Sequence, residues 1–405
     1  MGRTLLNNGL AKLHTLNERM VALAIEREIS SRVSVEALIS RHHVLYLGPP
    51  GAAKSLMARM IAHALDLPDN GYFEALMGKG LPPDAILGPP DIEGAVKDRD
   101  YRRVIEGFIA TAYIIFLDEI FKTGDVNVNP TLTVLNERLF QNGRTVHKCP
   151  LITGYFASNE LYDGMALEAF FSRLTYRLWV DYIQEDDNVD LLLDAYVSQA
   201  TGGGYGTEDI GITVDELDVV HGEMKAMPFG STQKDILKTV RKSFRAEGML
   251  FDDRKLCWMT DVVRARAVFE GHAEPEPEDF SVLEHLLWND PKDRAKVRSL
   301  VLTVCNPAQE EADAYVDDAR TAVANARAQI ATALTQGDKV AKQQAAADVD
   351  AKVDEILQTI ERRVKETSGA TKETMEAALD KVDAQQEIVV REIVGLRARR
   401  ERDAS

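Results

Sequence analysis

Residues Leu45–Met60 of this 405-residue chain read LYLGPPGAAKSLMARM. A short apolar run, HVLYL (43–47), leads into a turn rich in glycine and proline, and a helical pattern follows the turn. This order is the context of a phosphate-binding loop, G-x-x-x-x-G-K-[ST], whose backbone N–H groups hold phosphates while the lysine neutralises charge and the hydroxyl binds Mg²⁺. Ala53 stands where the second glycine of that pattern is expected. The stretch therefore raises the question of whether the loop is a working site.

The composition predicts a chain with a sizeable core and an acidic surface. Apolar residues make up 45% of the chain, and the formal net charge is −17. This balance argues against nucleic acid as a partner, because sequence-independent binding needs clustered Lys and Arg. The longest apolar run, IATAYIIFL (109–117), is about half as long as a membrane span, and the N-terminus lacks the apolar segment of a signal peptide. We therefore expect a soluble cytoplasmic protein with no membrane span.

Two further apolar runs end in polar residues. AYIIFLDEI (112–120) contains Asp118 and Glu119 and precedes a predicted helix through LTVLNERLF (132–140), and LITGYFASNE (151–160) reaches Asn159 near its end. Strands that alternate with helices indicate an α/β fold with a mostly parallel sheet, covered on both faces, whose ligand lies beyond the carboxyl ends of the strands. The loop, the acidic pair and Asn159 are therefore expected to meet at one place.

These residue types suit phosphoryl transfer. One carboxylate of the Asp118-Glu119 pair can hold hydrated Mg²⁺ while the other positions and deprotonates an attacking water. Asn159 supplies a neutral amide that can orient this water. Each motif has a simpler interpretation, since Lys54 and Ser55 could be an exposed helix start and Asn159 an ordinary turn residue. Their order along the chain, each after a strand, favours the working site.

Beyond about residue 185 the strand signals fade and helical patterns continue to about Pro307. Residues 308–405 contain no proline, and their apolar residues recur at spacings of three and four, which predicts helices packed along a narrow seam. This seam is most simply intramolecular, as a hairpin or small bundle, with a docking surface for a partner as the alternative. We divide the chain into an α/β core with an N-terminal helix (1–190), an all-helical lid domain (191–306) and a helical, coiled-coil-like extension (307–405).

The segments GPPGAAKS, FLDEIFK, LNERLFQNG, ASNE and LEAFFSRLTYRLWV together resemble the MoxR branch of the AAA+ ATPases, most closely its RavA-type members. The resemblance covers about residues 20–190, weakens through the helical domain and is absent from the extension. That subgroup tends to carry alanine before the loop lysine, so the alanine at position 53 resembles a feature of the family and does not indicate a decayed site. Its methyl group is compatible with the loop if the backbone there avoids positive φ, the conformation for which glycine is indispensable.

The resemblance implies a role for each matching residue, with ATP and Mg²⁺ as cofactors. Lys54 would contact the β- and γ-phosphates, Ser55 would coordinate Mg²⁺, and Asp118 would be a direct or indirect Mg²⁺ partner. Glu119 would be the catalytic base, and Asn159 would sense the γ-phosphate. The remaining nucleotide contacts would come from the loop and the start of its helix, namely Gly48, Pro49, Pro50, Gly51, Ala52, Ala53 and Leu56.

Three arginines complete the implied site. Arg173, in FSRL, matches the family's arginine finger, which reaches into the neighbouring subunit's site, and Arg177 is the alternative. Their spacing of four would equally suit two ion-pair residues on one helix face. Arg254, in DDRKL, matches the second sensor on the lid, although the family more often has Ser where Asp252 stands. Because a finger donated across an interface makes hydrolysis depend on assembly, we expect a homo-oligomer, and the family likeness implies a hexameric ring.

The segment GPPDIEGAVKDRDYRRVIEGFIATA (88–112) matches the family's inserted β-hairpin, which borders the central pore. Lys97, Arg99, Arg102 and Arg103 would then face an acidic or extended substrate, or belong to a solvated hairpin. The resemblance implies an ATP-hydrolysing ring that remodels or matures a partner protein in a chaperone-like way, often with a von Willebrand factor A-domain partner. Two other functions stay open, namely a DNA-directed motor or loader and an assembly scaffold that binds ATP for shape.

Overall fold

The computed structural model of the protein describes residues 2–78, 80–122, 125–161, 168, 170–185, 187–202, 204–336, 338–367 and 370–388. The chain forms two compact units, Met1–Val297 and Arg298–Ser405. In the described part of the chain, no helix combines the length and the apolar character that a membrane span requires.

A parallel sheet organises the first unit. The strands are β1 (Val44–Leu47), β2 (Leu65–Asp66), β3 (Tyr72–Leu76), β4 (Ile114–Asp118), β5 (Leu139–Asn142), β6 (Thr145–Lys148), β7 (Thr153–Ser158), β8 (Tyr176–Trp179) and β9 (Ile212–Thr213). Five of them form the main sheet in the order β3-β4-β7-β1-β8, with every neighbouring pair parallel. In the smaller sheets, β2 pairs with β9 in parallel and β5 pairs with β6 in antiparallel orientation.

Helices connect and cover these strands. They are α1 (Gly2–Leu23), α2 (Glu28–Ser40), α3 (Lys54–Ala64), α4 (Asp84–Leu87), α5 (Ile92–Asp98), α6 (Asp125–Glu137), α7 (Asp187–Gly202), α8 (Val214–Ala226), α9 (Ser231–Ala246), α10 (Asp253–Glu270), α11 (Glu284–Leu287) and α12 (Arg294–Cys305). Short 3₁₀ segments lie at Ile120–Lys122, Pro277–Leu283 and Pro291–Asp293.

The central strands are buried along their whole length. All residues of β1 and β7 are buried, as are the first four of β4, and such continuous burial is typical of parallel strands covered on both faces. The hydroxyl of Tyr155 donates to the Ser34 carbonyl of α2 at 2.9 Å, and that of Thr153 donates to the Ala37 carbonyl at 3.0 Å. Helix α3 packs against β4 and β7. The predicted α/β fold is confirmed.

The two N-terminal helices pack against helices from the other end of this unit. Helix α1 contacts α8, and α2 contacts α10. Lys12 of α1 donates to the carboxylate of Glu216 at 2.8 Å. Glu36 of α2, which is fully buried, pairs with Arg266 of α10. Helix α1 therefore contributes to the helical part of the unit as well as to the core.

Several sequence predictions differ from the structure in detail. Leu139 and Phe140 were expected to end a helix, but α6 stops at Glu137 and both residues belong to β5. The segment 88–112 was expected to form a β-hairpin. It instead contains the short helix α5, capped by the Asp91 carboxylate, which accepts from Gly94 N at 2.9 Å. A single antiparallel bridge between Pro90 and Arg103 is its only described strand-like pairing.

The second unit is a helical bundle. Helices α13 (Pro307–Gln336), α14 (Lys339–Glu366) and α15 (Ala370–Ile388) pack against one another in all three pairings. The predicted seam lies in their common core, where Val316, Val323, Val353, Ile360, Met375 and Val382 are all buried. Arg363 of α14 donates to both carboxylate oxygens of Glu311 of α13 at 2.7 Å. The intramolecular interpretation of the seam is confirmed for these residues. The last apolar positions of the predicted seam, Val389, Ile393 and Leu396, lie outside the described residues.

Candidate functional site

The carboxyl ends of β1, β4 and β7 lie next to one another. Leu47 of β1 pairs with Ser158 of β7, and Leu117 of β4 pairs with Phe156 of β7. Directly after β1, Gly48 N donates to the Ser158 carbonyl at 3.2 Å. The phosphate loop, the acidic pair and Asn159 each follow or end one of these strands, so the sheet brings the three motifs to one edge. We call Lys54, Ser55, Asp118, Glu119 and Asn159 at this edge the strand-end site.

The backbone of the loop requires glycine at Gly48 because of a close approach. Its φ is +149°, and a Cβ built there would lie 1.8 Å from the Val180 carbonyl oxygen. Gly51 has a φ of +79°, and a Cβ there would meet no atom within 4 Å. Its glycine is thus required by conformation, and the space beside its backbone is open.

Ala53 adopts a left-handed conformation, with φ +65° and ψ +15°. The condition under which its methyl group was expected to be compatible with the loop, a backbone that avoids positive φ, is therefore not met. A left-handed backbone brings the Cβ of an L-residue close to the following carbonyl oxygen, at a cost of about 1–2 kcal/mol. The loop keeps the geometry of the glycine pattern at Ala53 and carries this strain immediately before Lys54, the first residue of α3.

Lys54 is buried, and its ammonium points back over the loop. Its Nζ donates to the carbonyl of Gly48 at 2.7 Å and to that of Pro49 at 2.6 Å. Burial lowers the pKa of Lys54, while the charges of Asp118 and Glu119 oppose that shift. The lysine is thus a cation with acidic neighbours, bonded to neutral carbonyl oxygens that a phosphate could replace.

The hydroxyl of Ser55 faces the acidic pair. Its Oγ donates to Asp118 Oδ2 at 3.4 Å, and the other oxygen of that carboxylate accepts from Glu119 N at 2.8 Å. Backbone and hydroxyl together hold Asp118 in one orientation at the end of β4. Hydroxyl and carboxylate oxygens are ligands that Mg²⁺ prefers, and Mg²⁺ commonly takes only one or two carboxylates together with waters and phosphates. This pair fits such an ion, and no cluster of three or more His, Cys, Asp or Glu ligands occurs in the described part of the chain.

Glu119 has a left-handed backbone, with φ +52°. Non-glycine residues in this region are uncommon and concentrate at functional sites. Its carboxylate accepts from Lys122 Nζ at 2.9 Å, and both side chains are about one-third exposed, at 35% and 33%. Sequence reasoning did not identify Lys122, although its position three residues after Glu119 is compatible with an ion pair. The structure places the candidate base at a solvent-accessible turn with a lysine partner.

Asn159 follows β7 and is exposed. The preceding Ser158 is buried, and its hydroxyl donates to the Glu160 carbonyl at 2.7 Å while accepting from Glu160 N at 3.3 Å. This local bonding closes a tight turn around Asn159. The turn fixes the direction of the chain and leaves the amide accessible at the edge of the sheet.

Arg173 and Arg254 approach each other from opposite parts of the first unit. Arg173 is half-buried in the turn before β8, whereas Arg254 is exposed in the first turn of α10, with its guanidinium 5.9 Å from the Trp258 ring centroid. Burial lowers the pKa of Arg173, and the charge of Arg254 lowers it further. The two candidate phosphate-binding arginines are therefore close enough to interact.

Arg177 was the alternative for the finger, and the structure contradicts that role. It lies in β8, not on a helix face with Arg173, and only 1% of it is exposed. Its guanidinium stacks 4.1 Å from the Phe171 ring centroid and donates to the Trp288 carbonyl and to Asn289 Oδ1. A side chain enclosed in this way cannot reach a neighbouring subunit, so Arg173 remains the candidate.

Two of the four basic residues singled out in segment 88–112 form ion pairs. Arg102 pairs with Asp91 at 2.9 Å, and Arg103 pairs with Asp84 at 2.5 Å. Lys97 and Arg99 are exposed. The most exposed large apolar side chains of the segment, Ile92, Val96 and Tyr101, were not expected there. The surface of this segment thus mixes apolar side chains, two exposed cations and the exposed carboxylates of Glu93 and Glu106, and is not a continuous basic strip.

Comparisons with known proteins agree with this architecture. Residues 11–220 match the family model described as the MoxR domain in the MoxR-vWA-beta-propeller ternary systems, and residues 233–301 match the model of an AAA lid domain. An uncharacterised protein of Methanocaldococcus jannaschii is 30% identical over 295 residues, which cover 73% of this chain and 76% of that protein. A second uncharacterised protein of that organism is 29% identical over 310 residues, with coverages of 74% and 76%.

One solved structure is similar in fold. The crystal structure of a candidate ATPase from Cytophaga hutchinsonii superposes with a TM-score of 0.59 at 16% identity and covers 75% of this chain and 96% of that chain. At this identity the likeness supports the arrangement of the sheet and helices, and no more than that.

Proposed function

Since the chain belongs to the MoxR family of AAA+ ATPases, we propose that it binds ATP with Mg²⁺ at the strand-end site and hydrolyses it to ADP and phosphate. The observation that carries this proposal is the meeting of Lys54, Ser55 and the two acids at one edge of the sheet. A loop cation, a hydroxyl and two differently held carboxylates are the groups that phosphoryl transfer uses.

The chain's own residues divide the work as follows. Lys54 exchanges its bonds to the Gly48 and Pro49 carbonyls for phosphate oxygens, while the backbone beside Gly51 admits the phosphates closely. Ser55 and Asp118 would hold the metal ion, which neutralises charge on the phosphates when bound. The Asp118 carboxylate is already oriented for this by the backbone N–H of Glu119.

Glu119 is the general base in this proposal. Its carboxylate takes the proton of the attacking water, and this requires its bond to Lys122 to give way. Asn159, exposed at the end of β7, orients the same water through its amide. Arg173 would supply its guanidinium to the site of a neighbouring copy, where it stabilises charge on the transferring phosphoryl group.

This use of Arg173 makes assembly part of the function. We propose a homo-oligomeric ring, hexameric by likeness to the family, whose hydrolysis cycle remodels or matures a protein partner. The description of the matching family, which couples MoxR domains with vWA proteins, supports a von Willebrand factor A-domain protein as that partner. The three-domain division of the chain into core, lid and extension belongs to the same proposal, with the cytoplasm as its location.

The first experiment tests hydrolysis itself. Phosphate release is measured for the wild type, for Glu119→Gln and for the matched control Glu106→Gln, which removes an exposed carboxylate from a loop of the same unit. We expect the control to keep wild-type turnover and Glu119→Gln to lose at least about 10²-fold, the usual range for a general base. Wild-type turnover no higher than that of Glu119→Gln would refute the ATPase proposal and favour the scaffold.

A second experiment identifies the partner. Glu119→Gln should bind ATP and stay assembled with its client, because the chemical step is removed. Affinity purification of this variant with ATP from the native cell, against the Lys54→Ala variant as a control that should not hold ATP, is expected to enrich a von Willebrand factor A-domain protein. Enrichment of replication or repair proteins instead would favour the DNA-directed alternative.

A further inference from the structure

Two buried cations share one amide oxygen next to the candidate arginines. Arg177 of β8 is 1% exposed and Lys255 of α10 is 4% exposed. Arg177 Nη1 donates to Asn289 Oδ1 at 2.7 Å, and Lys255 Nζ donates to the same atom at 3.0 Å. Because both neighbours can only donate hydrogen bonds, the atom of Asn289 that faces them must be its oxygen.

This arrangement is costly, which makes a purely structural origin a poor explanation. The pKa of Lys255 is lowered to about 7, mainly by burial and also by the charge of Arg177, while Asp252 at the start of α10 opposes the shift. Interiors normally pair a buried cation with a carboxylate, as Glu36 does for Arg266 in this same unit, whereas the Lys255 ammonium donates to the neutral amide of Asn289. Strongly perturbed groups of this kind concentrate at functional sites.

The first arm of the arrangement leads to Arg173. The guanidinium of Arg177 lies 4.1 Å from the Phe171 ring centroid and donates to the Phe171 carbonyl at 3.4 Å. Phe171 is two residues before Arg173, and its carbonyl also accepts from Leu174 N at 3.1 Å. The Phe171 carbonyl therefore accepts one bond from within the turn that carries Arg173 and one from Arg177, which ties this turn to β8.

The second arm leads to Arg254. Lys255 directly follows Arg254 in the first turn of α10, and Lys255 N donates to the capping carboxylate of Asp252 at 2.8 Å. Fixing the Lys255 ammonium therefore fixes the first turn of α10 and the backbone from which Arg254 projects. Asn289, with the adjoining Trp288 carbonyl that accepts from Arg177, joins the two arms.

We propose that Arg177, Asn289 and Lys255 form a positioning device, the Asn289 relay, that sets the turn bearing Arg173 and the helix start bearing Arg254 in a fixed mutual arrangement. The relay rests on the proposed function in one respect, namely that these two arginines act on nucleotide. Without the shared oxygen, the one acceptor that joins the Arg177 guanidinium to the Lys255 ammonium is lost, and the two segments separate. With it, a shift of one segment is passed to the other, so a lid position is linked to the presentation of the finger.

The test uses the full chain and four variants. Asn289→Ala removes the shared oxygen, Asn289→Asp restores an oxygen acceptor, and Lys255→Met keeps the length of the side chain without its charge. Lys242→Met is the matched control, because Lys242 is an exposed cation on α9 of the same unit. Each variant is measured by thermal melting, by kcat and KM for ATP, and by hydrogen exchange of the peptides that contain Arg173 and Arg254.

We expect Asn289→Ala to lower kcat by tenfold or more with KM changed less than threefold, and Asn289→Asp to recover kcat to within threefold of wild type. Backbone exchange should speed up in both peptides with Asn289→Ala and return towards wild type with Asn289→Asp.

Unchanged exchange in both peptides of a folded Asn289→Ala protein would overturn the relay. If Asn289→Ala does not fold, the Lys255→Met variant tests the relay instead. We expect faster exchange in both peptides of this variant, and exchange at the wild-type rate would contradict the proposal. Exchange does not depend on hydrolysis. A protein without ATPase activity would thus refute the proposed function, while the exchange data still decide whether the relay couples the two segments.

Discussion

The strand-end site and the Asn289 relay hold their cations in opposite ways. Lys54 is buried with two acids nearby, and all of its hydrogen-bond partners lie within its own loop. In the relay, two cations converge on one neutral oxygen, and Arg177 and Asn289 are 112 positions apart in the chain. The first arrangement is local and its charges balance. The second is assembled from distant segments and bonds two basic side chains to one neutral acceptor.

The difference suggests a division of labour. The proposed catalytic groups are placed by a short loop and by strand ends, so their geometry hardly depends on the rest of the molecule. The proposed relay must connect distant segments, and a neutral oxygen between two basic side chains gives a contact that is easily disturbed. In these proposals, the catalytic residues are held by local contacts and the positioning residues by contacts between distant segments.

The largest effect is expected for the two arginines that the sequence could not tell apart. Arg173→Ala should lower kcat by about 10³-fold or more, the value of a finger donated between subunits, with little change in melting temperature. Arg177→Ala should lower the melting temperature, because it leaves the Trp288 carbonyl and the Phe171 ring without their partner, at a cost of about 1–3 kcal/mol for the buried acceptor. Steady-state kinetics and thermal melting on both variants separate the two roles.

Dilution provides the control for this prediction. The specific activity of the wild type should fall as the oligomer dissociates, because Arg173 then has no neighbouring site to reach. A specific activity that stays constant through dissociation would contradict a finger acting between copies. If Arg177→Ala loses turnover without losing stability, Arg177 becomes a candidate for the arginine finger again.

The next effect concerns the buried ion pair of Glu36 and Arg266. Arg266→Met should destabilise the first unit by about 3–5 kcal/mol, because it leaves the fully buried Glu36 without its main partner. Adding Glu36→Gln should recover part of this loss, since no buried charge remains. Denaturant titration of the two single variants and the double variant measures the coupling. Equal losses for Arg266→Met and for the double variant would mean that packing, and not charge, holds α2 to α10.

Much of the strand-end site could be predicted because its signals are local. A strand, a glycine-containing turn and Lys54-Ser55 are contiguous, and Asp118 and Asn159 each sit at the end of an apolar run. The capping carboxylate of Asp91 was an equally local signal for helix α5 and could have replaced the hairpin prediction for 88–112. Local signals of this kind follow from the chemistry of turns and helix ends.

The rest of the site could not be predicted because its determinants are contacts through space. β8 carries Arg177 in the middle of a buried strand, and a charged residue there hides the apolar run that would indicate a strand. Asn289 lies in a polar loop with no motif around it, and only its contacts with Arg177 and Lys255 give it a role. The backbone angle of Ala53 depends on the closure of the loop, which residue type alone does not reveal.

The pH dependence of stability should reveal the relay's lysine. The pKa of Lys255 is about 7 in the folded protein and about 10.4 in an unfolded chain. Between these values the unfolded state binds more protons, so stability rises as pH rises and is lost as pH falls towards 7. Relative to Lys255→Met, the wild type should gain up to about 1.4 kcal/mol per pH unit between pH 7 and pH 10. Denaturant titrations of both proteins across this range measure the free energy of unfolding at each pH. If the two free energies change in parallel with pH, a buried lysine at the relay is contradicted.

The smallest effect is expected in the phosphate loop itself. Ala53→Gly removes the strain of a left-handed alanine, about 1–2 kcal/mol, but gives the unfolded chain more freedom, worth about 0.4–1 kcal/mol. The net expectation is a stabilisation of about 0.5 kcal/mol. Ala52→Gly is the matched control, because Ala52 is buried and does not have a positive φ, so the same change there should destabilise by about 0.5–1 kcal/mol. Denaturant titration of both variants gives the sign of each change in the free energy of unfolding. Shifts in the same direction would mean that the left-handed backbone of Ala53 stores no strain, whereas opposite shifts would show that the loop keeps glycine's geometry and tolerates alanine at a small cost.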